Sequence, residues 1–225
     1  MNMTEYTIRT VKGHILLTDD RGTVLLIDTG SPRSFHSDGI IALCGESFNA
    51  PASLMGVDAD YIADKVGERV DGLVGMDIIS RCGLLVDVPG GKAVFGCPTD
   101  GMTRVPSRLG MGYMSVETEV RGHRATVILD TGAPTSYVSE SLTDGLPSVG
   151  TVEDFNPFVA GDVFETPIFE FPAAFAGQSF TMRAGHLPKM MGSMLSLLGV
   201  DGVVGMELLQ RQPILLADGG VWVRA

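Results

Sequence analysis

The chain is short of cations. Its 16 Lys and Arg stand against 27 Asp and Glu, a formal charge of −11 over 225 residues. No basic cluster interrupts that excess, which excludes the phosphate-reading surface of a nucleic-acid binder. Cysteine is scarce as well: Cys44, Cys82 and Cys97 are an odd number without CxxC spacing. A zinc site of tight cysteine pairs is therefore not encoded, and the three read as reduced, mostly buried thiols. Long apolar runs are missing too. The most apolar window, 190–209, contains Asp201, Glu207 and several small residues, so it suits a soluble core rather than a bilayer. The opening MNMTEYTIRT lacks the basic region and apolar run of a signal peptide. His14, His36, His123 and His186 are scattered, with no spacing for a Ser-His-Asp or metal constellation. These absences describe a soluble, cytoplasmic protein with no metal, no cofactor, no nucleic-acid partner and no membrane partner. The 44% hydrophobic content is enough for a real core.

What is present is a repeat. Residues 24–35 read VLLIDTGSPRSF and residues 126–137 read TVILDTGAPTSY. In each, three apolar residues run into Asp-Thr-Gly, followed by a small residue, Pro, a variable residue, Ser and an aromatic. A second pair follows in the same order: VDGLVGMDII at 70–79 and VDGVVGMELL at 200–209, identical at six of ten positions. Both copies then pass through an Asp and a Gly-Gly pair to a closing apolar strand, Ala93-Val94-Phe95 and Val221-Trp222-Val223. Repeated motifs in a fixed order mark a duplicated chain. The expected division is an N-terminal lobe over 1–98, a linker over 99–110 and a C-terminal lobe over 111–225. One repeat is small for a core of its own, so the lobes are expected to share an interface.

The pattern is mostly β. Each half opens on a hairpin, predicted at 14–18 with 23–27 and at 113–120 with 125–129. Further strands are predicted at 164–171 and 179–183, rich in Phe, Ile, Thr and Val. Short helices are predicted at 76–81 and 206–211, with weaker signals at 59–66 and 189–198.

An Asp at the tip of a strand, followed by Thr and Gly, sits on a tight loop, where Gly30 and Gly132 let the backbone turn. A pseudo-twofold relation between the halves would bring Asp28 and Asp130 side by side. Two carboxylates a few ångströms apart cannot both ionise, so the pair shares a proton, one member serving as base and the other as acid. Asp71 and Asp201, beside glycines, read as turn residues.

The doubled Asp-Thr-Gly, each with a later hydrophobic-hydrophobic-Gly segment (Leu73-Val74-Gly75 and Val203-Val204-Gly205), resembles the aspartic peptidase superfamily of pepsins and retropepsins. The layout is similar to two retropepsin-like units fused in one chain, over roughly residues 12–97 and 111–225. The resemblance implies an all-β, two-lobed fold of pseudo-twofold, barrel-like lobes, and an aspartic endopeptidase acting on peptide or protein substrates. Asp28 and Asp130 would be catalytic, supported by Thr29, Gly30, Ser31, Thr131, Gly132 and Ala133. Each Thr would bond across to the opposite loop, and the chain would be active as a monomer. Ser31 stands where the second loop has Ala133, and a hydroxyl donated to Asp28 would make Asp28 the ionised member. The alternative is an inactive, peptide-binding module of the same fold.

The sequence departs from that family in its covering elements. Pepsin-like enzymes carry in the first lobe a flap hairpin with a Tyr, whereas 45–56 is short and has no Tyr. The extra length is in the second half, where 153–187 is expected to form an elaborated hairpin region near the cleft. With so short a stretch before Asp28, no long pro-segment is expected.

Overall fold

The structure, a computed structural model, describes residues 3–155 and 163–224. Val24-Leu25-Leu26-Ile27 is a continuous apolar run, the mark of a strand covered on both faces, and three of its four residues are buried. It pairs antiparallel with His14–Thr18, which pairs in turn with Thr4–Val11. On its other side it runs parallel to Gly72–Val74, with Leu25 opposite Gly72 and Ile27 opposite Val74. Phe35–His36 then flanks Gly72–Val74 antiparallel. The second half repeats this threading. Tyr113–Val120 pairs with His123–Leu129, which runs parallel to Gly202–Val204 (Val127 opposite Gly202, Leu129 opposite Val204), and Ser136–Val138 closes the group. In each copy the two repeated motifs are neighbouring strands.

The hydrophobic-hydrophobic-Gly segments end in glycine because the Asp-Thr-Gly loop lies directly on them. A Cβ on Gly75 would sit 2.6 Å from the Arg33 carbonyl oxygen, and one on Gly205 would overlap the Ala133 carbonyl. Behind these glycines start the short helices Met76–Cys82 and Met206–Leu209, each burying its first Met. The helix Ala59–Val66 is capped at both ends. The Asp58 carboxylate accepts from the Tyr61 N–H, and Gly67 closes it at φ 80°, where glycine carries no Cβ penalty. Its buried Ala59, Ile62 and Val66 join Leu16, Phe35 and Leu73 in a core of the first half alone.

A larger core runs through both halves without a break, from Ile15 and Phe95 to Phe171 and Leu216. A shared sheet accounts for this. The strand Leu84–Asp87 pairs with Lys92–Phe95 on one side and with Ile214–Ala217 of the second half on the other, with Leu85 opposite Leu215. Gly220–Arg224 and Met102–Val105 extend the same sheet. Residues 99–110, read as a linker, are thus a structured bridge: Met102–Val105 belongs to the shared sheet and Ser107–Gly110 pairs with Tyr113–Val120. Two strands fit there because Pro106 separates them and each finds an open edge.

The second half carries a long antiparallel arm. Val163–Phe175 is the longest strand among the described residues. Its C-terminal half pairs with Gln178–Gly185 inside the sheet, and its N-terminal half pairs with Gly150–Phe155, Phe155 opposite Val163. Residues 156–162 of the predicted region lie outside the described residues. Helix Lys189–Leu197 follows.

Candidate active site

Asp28 follows the strand Val24–Ile27 and Asp130 follows His123–Leu129, and the backbone fixes both in the same way. The Asp28 N–H donates to the Val74 carbonyl (3.0 Å) and the Asp130 N–H to the Val204 carbonyl (2.9 Å). The loops turn on their own carboxylates: Gly30 N–H donates to Asp28 Oδ1 and Gly132 N–H to Asp130 Oδ1, both at 2.8 Å.

The two loops are tied together by threonine. Thr29 Oγ1 donates to the Leu129 carbonyl (2.7 Å) and accepts from Thr131 N–H (2.9 Å). Thr131 Oγ1 donates to the Ile27 carbonyl (2.8 Å) and accepts from Thr29 N–H (3.0 Å). Both side chains are fully buried, so these four bonds have no water to exchange with and set the spacing of the loops. The carboxyl groups of Asp28 and Asp130 are within hydrogen-bond reach of each other. Each also faces the other loop's glycine: a Cβ on Gly132 would sit 2.6 Å from Asp28 Cγ, and one on Gly30 would overlap the Asp130 carboxylate.

Desolvation at the floor of the cleft raises both carboxyls above the ordinary carboxylate range, Asp28 the further because the charge of Asp130 adds to it. Backbone N–H groups of both loops, Gly30 and Ser31 for Asp28 and Gly132, Ala133 and Gly30 for Asp130, pull in the opposite direction. The two carboxyls titrate as one coupled pair. The hydroxyl bond expected from Ser31 to Asp28 is not made. The Ser31 hydroxyl donates to the Arg33 carbonyl (2.8 Å) instead, because the turn at Pro32 brings that acceptor two residues away.

A cavity of about 260 Å³ opens above the pair, lined mainly by apolar side chains from both halves, among them Pro32, Leu54, Pro134, Phe155 and Met191. No protein-family profile matches the chain, and no curated protein does. Solved structures do. An aspartic proteinase from Irpex lacteus superposes with a TM-score of 0.55 at 12% identity, covering 100% of this chain and 98% of that one. Basic 7S globulin from soybean gives 0.51 at 9% identity, covering 100% and 94%. The chain has the two-lobed fold of the aspartic proteinases.

Inside that fold, the remaining members of the repeated motifs hold the loops in place. Ser34 Oγ accepts from Gly75 N–H (2.9 Å) and donates to Asp77 Oδ1 (2.6 Å), and Ser136 Oγ accepts from Gly205 N–H (3.1 Å). Their signal was the invariant Ser of the two repeats, whose role the sequence alone did not reveal. Asp71 and Asp201 are bracing groups: their carboxylates accept from Val24 N–H and Thr126 N–H, both at 2.8 Å.

The cleft's covering elements differ between the halves. In the first, Ile40–Leu43 and Glu46–Asn49 form a hairpin on Tyr6, where Cys44 N–H donates to the phenol oxygen (2.6 Å). The element over the cleft is the minimal hairpin Ser53–Leu54 with Val57–Asp58, turned at Met55-Gly56 with φ 52° and 84°. In the second half, the arm of Gly150–Phe155 and Val163–Phe175 reaches the first half, where the Phe155 ring meets Tyr61 edge-on at 6.0 Å.

Two further cleft-side residues escaped the sequence reading. Tyr113 lines the cavity, and burial and the charges of Asp28 and Asp130 push its phenol upward. Its place in the repeat, one residue after Gly112, is that of His14 after Gly13. His14 is buried against the Gly132 carbonyl and held toward its neutral form by desolvation, with Nδ1 unpaired among the described residues. Among the described residues no group of His, Cys, Asp and Glu could hold a metal ion, and no helix is long and apolar enough to cross a membrane.

Proposed function

We propose that this chain is an aspartic endopeptidase whose catalytic pair is Asp28 and Asp130. The supporting observation is the reciprocal threonine grip, which brings one carboxyl from each half into contact at the floor of an apolar cleft. A cleft lined by apolar side chains of both halves suits an extended peptide, bound by strand-like hydrogen bonds with side chains in alternating pockets.

In this reading a water molecule sits against the pair. Asp130 takes one of its protons, the oxygen attacks the scissile carbonyl carbon, and Asp28 gives its proton to the carbonyl oxygen. The resulting gem-diol then collapses. Asp130 passes its proton to the amide nitrogen, Asp28 recovers one from a diol hydroxyl, and the C–N bond breaks. The pair ends as it began, with Asp28 protonated. Thr29 and Thr131 set the loop spacing, and the N–H groups of Gly30, Ser31, Gly132 and Ala133 stabilise the carboxylates. The two lobes, 1–98 and 111–225, act within one chain as a monomer.

The test is cleavage of a mixed peptide library between pH 3 and 8 by wild type, Asp28→Asn and Asp130→Asn, with thermal melts to verify folding. The expected result is cleavage by wild type and a loss of at least about a thousandfold in either variant, since acid and base act as a unit. Cleavage surviving in a folded Asp28→Asn variant, or none by wild type, overturns the proposal.

A further inference from the structure

Among the described residues the cleft carries three carboxyl groups and no cation. Besides Asp28 and Asp130, its described lining includes Asp154 but no Lys or Arg. Asp154 is delivered by the second-half arm and held firmly there. Its Oδ1 accepts from the Phe155 N–H at 2.8 Å, and its Oδ2 accepts from the hydroxyl of Tyr137. Tyr137 is itself buried, on the strand that follows the second Asp-Thr-Gly loop, and its ring packs on Phe164 of the arm at 6.0 Å. The arm is fixed at its far side by Phe155 on Tyr61. The cation most obviously available to Asp154, His14, is kept toward its neutral form by burial. Among the described residues Asp154 makes no ion pair.

A half-buried carboxylate held in place, without a counter-ion, in an otherwise apolar cleft has unused acceptor capacity and a field that attracts cations. We infer that Asp154, held by Tyr137, is a specificity-determining residue that selects peptides presenting one basic side chain beneath the second-half arm. The inference rests on the peptidase reading of the same cleft. A Lys or Arg side chain would lay its methylene stem along Phe155 and Phe164 and place its charged end on Asp154. An acidic side chain there would meet the negative charge of Asp154 close to that of the pair.

The experiment uses peptides that differ at one position, Lys, norleucine or Glu, scanned along both sides of the cleaved bond, with kcat and KM measured separately. At one position wild type is expected to prefer Lys over norleucine by about tenfold in kcat/KM, carried by KM, as a charge-assisted contact implies. Glu there is the poorest substrate. Asp154→Asn brings the Lys-to-norleucine ratio within about twofold of unity, and Tyr137→Phe, which frees the carboxylate, lowers it part of the way. Glu153→Gln, which removes an exposed carboxylate from the adjacent position, keeps the ratio. Being a ratio, the readout does not depend on how much folded enzyme each variant yields. No position with a Lys preference in wild type, or a preference that survives Asp154→Asn, overturns the inference. If wild type cleaves none of the peptides, the peptidase reading fails instead. Their dissociation constants, measured calorimetrically on wild type and Asp154→Asn, then decide for or against Asp154 by the same ratio.

Discussion

Replacing Thr131 by Val tests whether the threonine grip holds the two halves in register. Val has nearly the shape of Thr, so packing is conserved and the change removes only the hydroxyl. That hydroxyl serves two partners, the Ile27 carbonyl at 2.8 Å and the Thr29 N–H at 3.0 Å, and the site is fully buried. No water replaces it, so both partners are left unpaired, at about 1–3 kcal/mol each. The expected destabilisation is therefore about 2–6 kcal/mol, a large share of the roughly 5–15 kcal/mol that holds a typical domain folded. At about 2–4 °C per kcal/mol for a chain of this size, the midpoint falls by roughly 4–24 °C. Thr131→Ser keeps the hydroxyl, loses one methyl, and should cost only about 1 kcal/mol. Urea unfolding and thermal melts followed by circular dichroism measure both. A Val variant within about 1 kcal/mol of wild type, or a Ser variant as unstable as the Val variant, would refute the claim that these hydrogen bonds, rather than the apolar core, set the loops' spacing.

Two predictions follow from the electrostatics of the pair. A carboxyl raised on folding binds protons more tightly in the native state, so its contribution to stability falls as pH rises from the unfolded carboxylate range, about 4, toward the folded value. Asp28→Asn removes that loss, so its stability relative to wild type should improve between acid and neutral pH; urea unfolding at several pH values that shows the opposite trend contradicts the raised carboxyl. Ser31→Ala should leave the acidic limb of the pH–rate profile unmoved, because the Ser31 hydroxyl is bonded to the Arg33 carbonyl and not to Asp28.

The sequence and the structure agree most closely where a local signal was repeated. The strands 14–18 and 113–120 and the helix 59–66 fall on the residues predicted, since apolar patterning and a capping Asp-Gly pair decide them locally. The placement of Asp28 against Asp130 was legible for another reason: a duplicated motif carries its own symmetry. What sequence could not show depends on distant pairing. The antiparallel match of Leu85 with Leu215, the strands at 102–105 and 107–110, and the two hairpins between 40 and 58 are set by tertiary edges, and their short segments lack a periodicity long enough to read. The partner of Ser31 was misread for a similar reason. Its hydroxyl finds the Arg33 carbonyl across the turn at Pro32, a local backbone geometry that leaves no trace in residue identity.

The shared sheet has a consequence for how the chain is made. Leu84–Asp87 is an inner strand of the finished protein, yet its second neighbour, Ile214–Ala217, lies near the C-terminus. During synthesis this strand stays an open apolar edge until roughly 130 more residues have emerged, about 6.5–26 s at 5–20 residues per second. Exposed edges of that kind are templates for wrong pairing. The nascent chain is thus most vulnerable to aggregation while its first half is complete and its second half is not, and any factor that slows translation across the second repeat lengthens that interval.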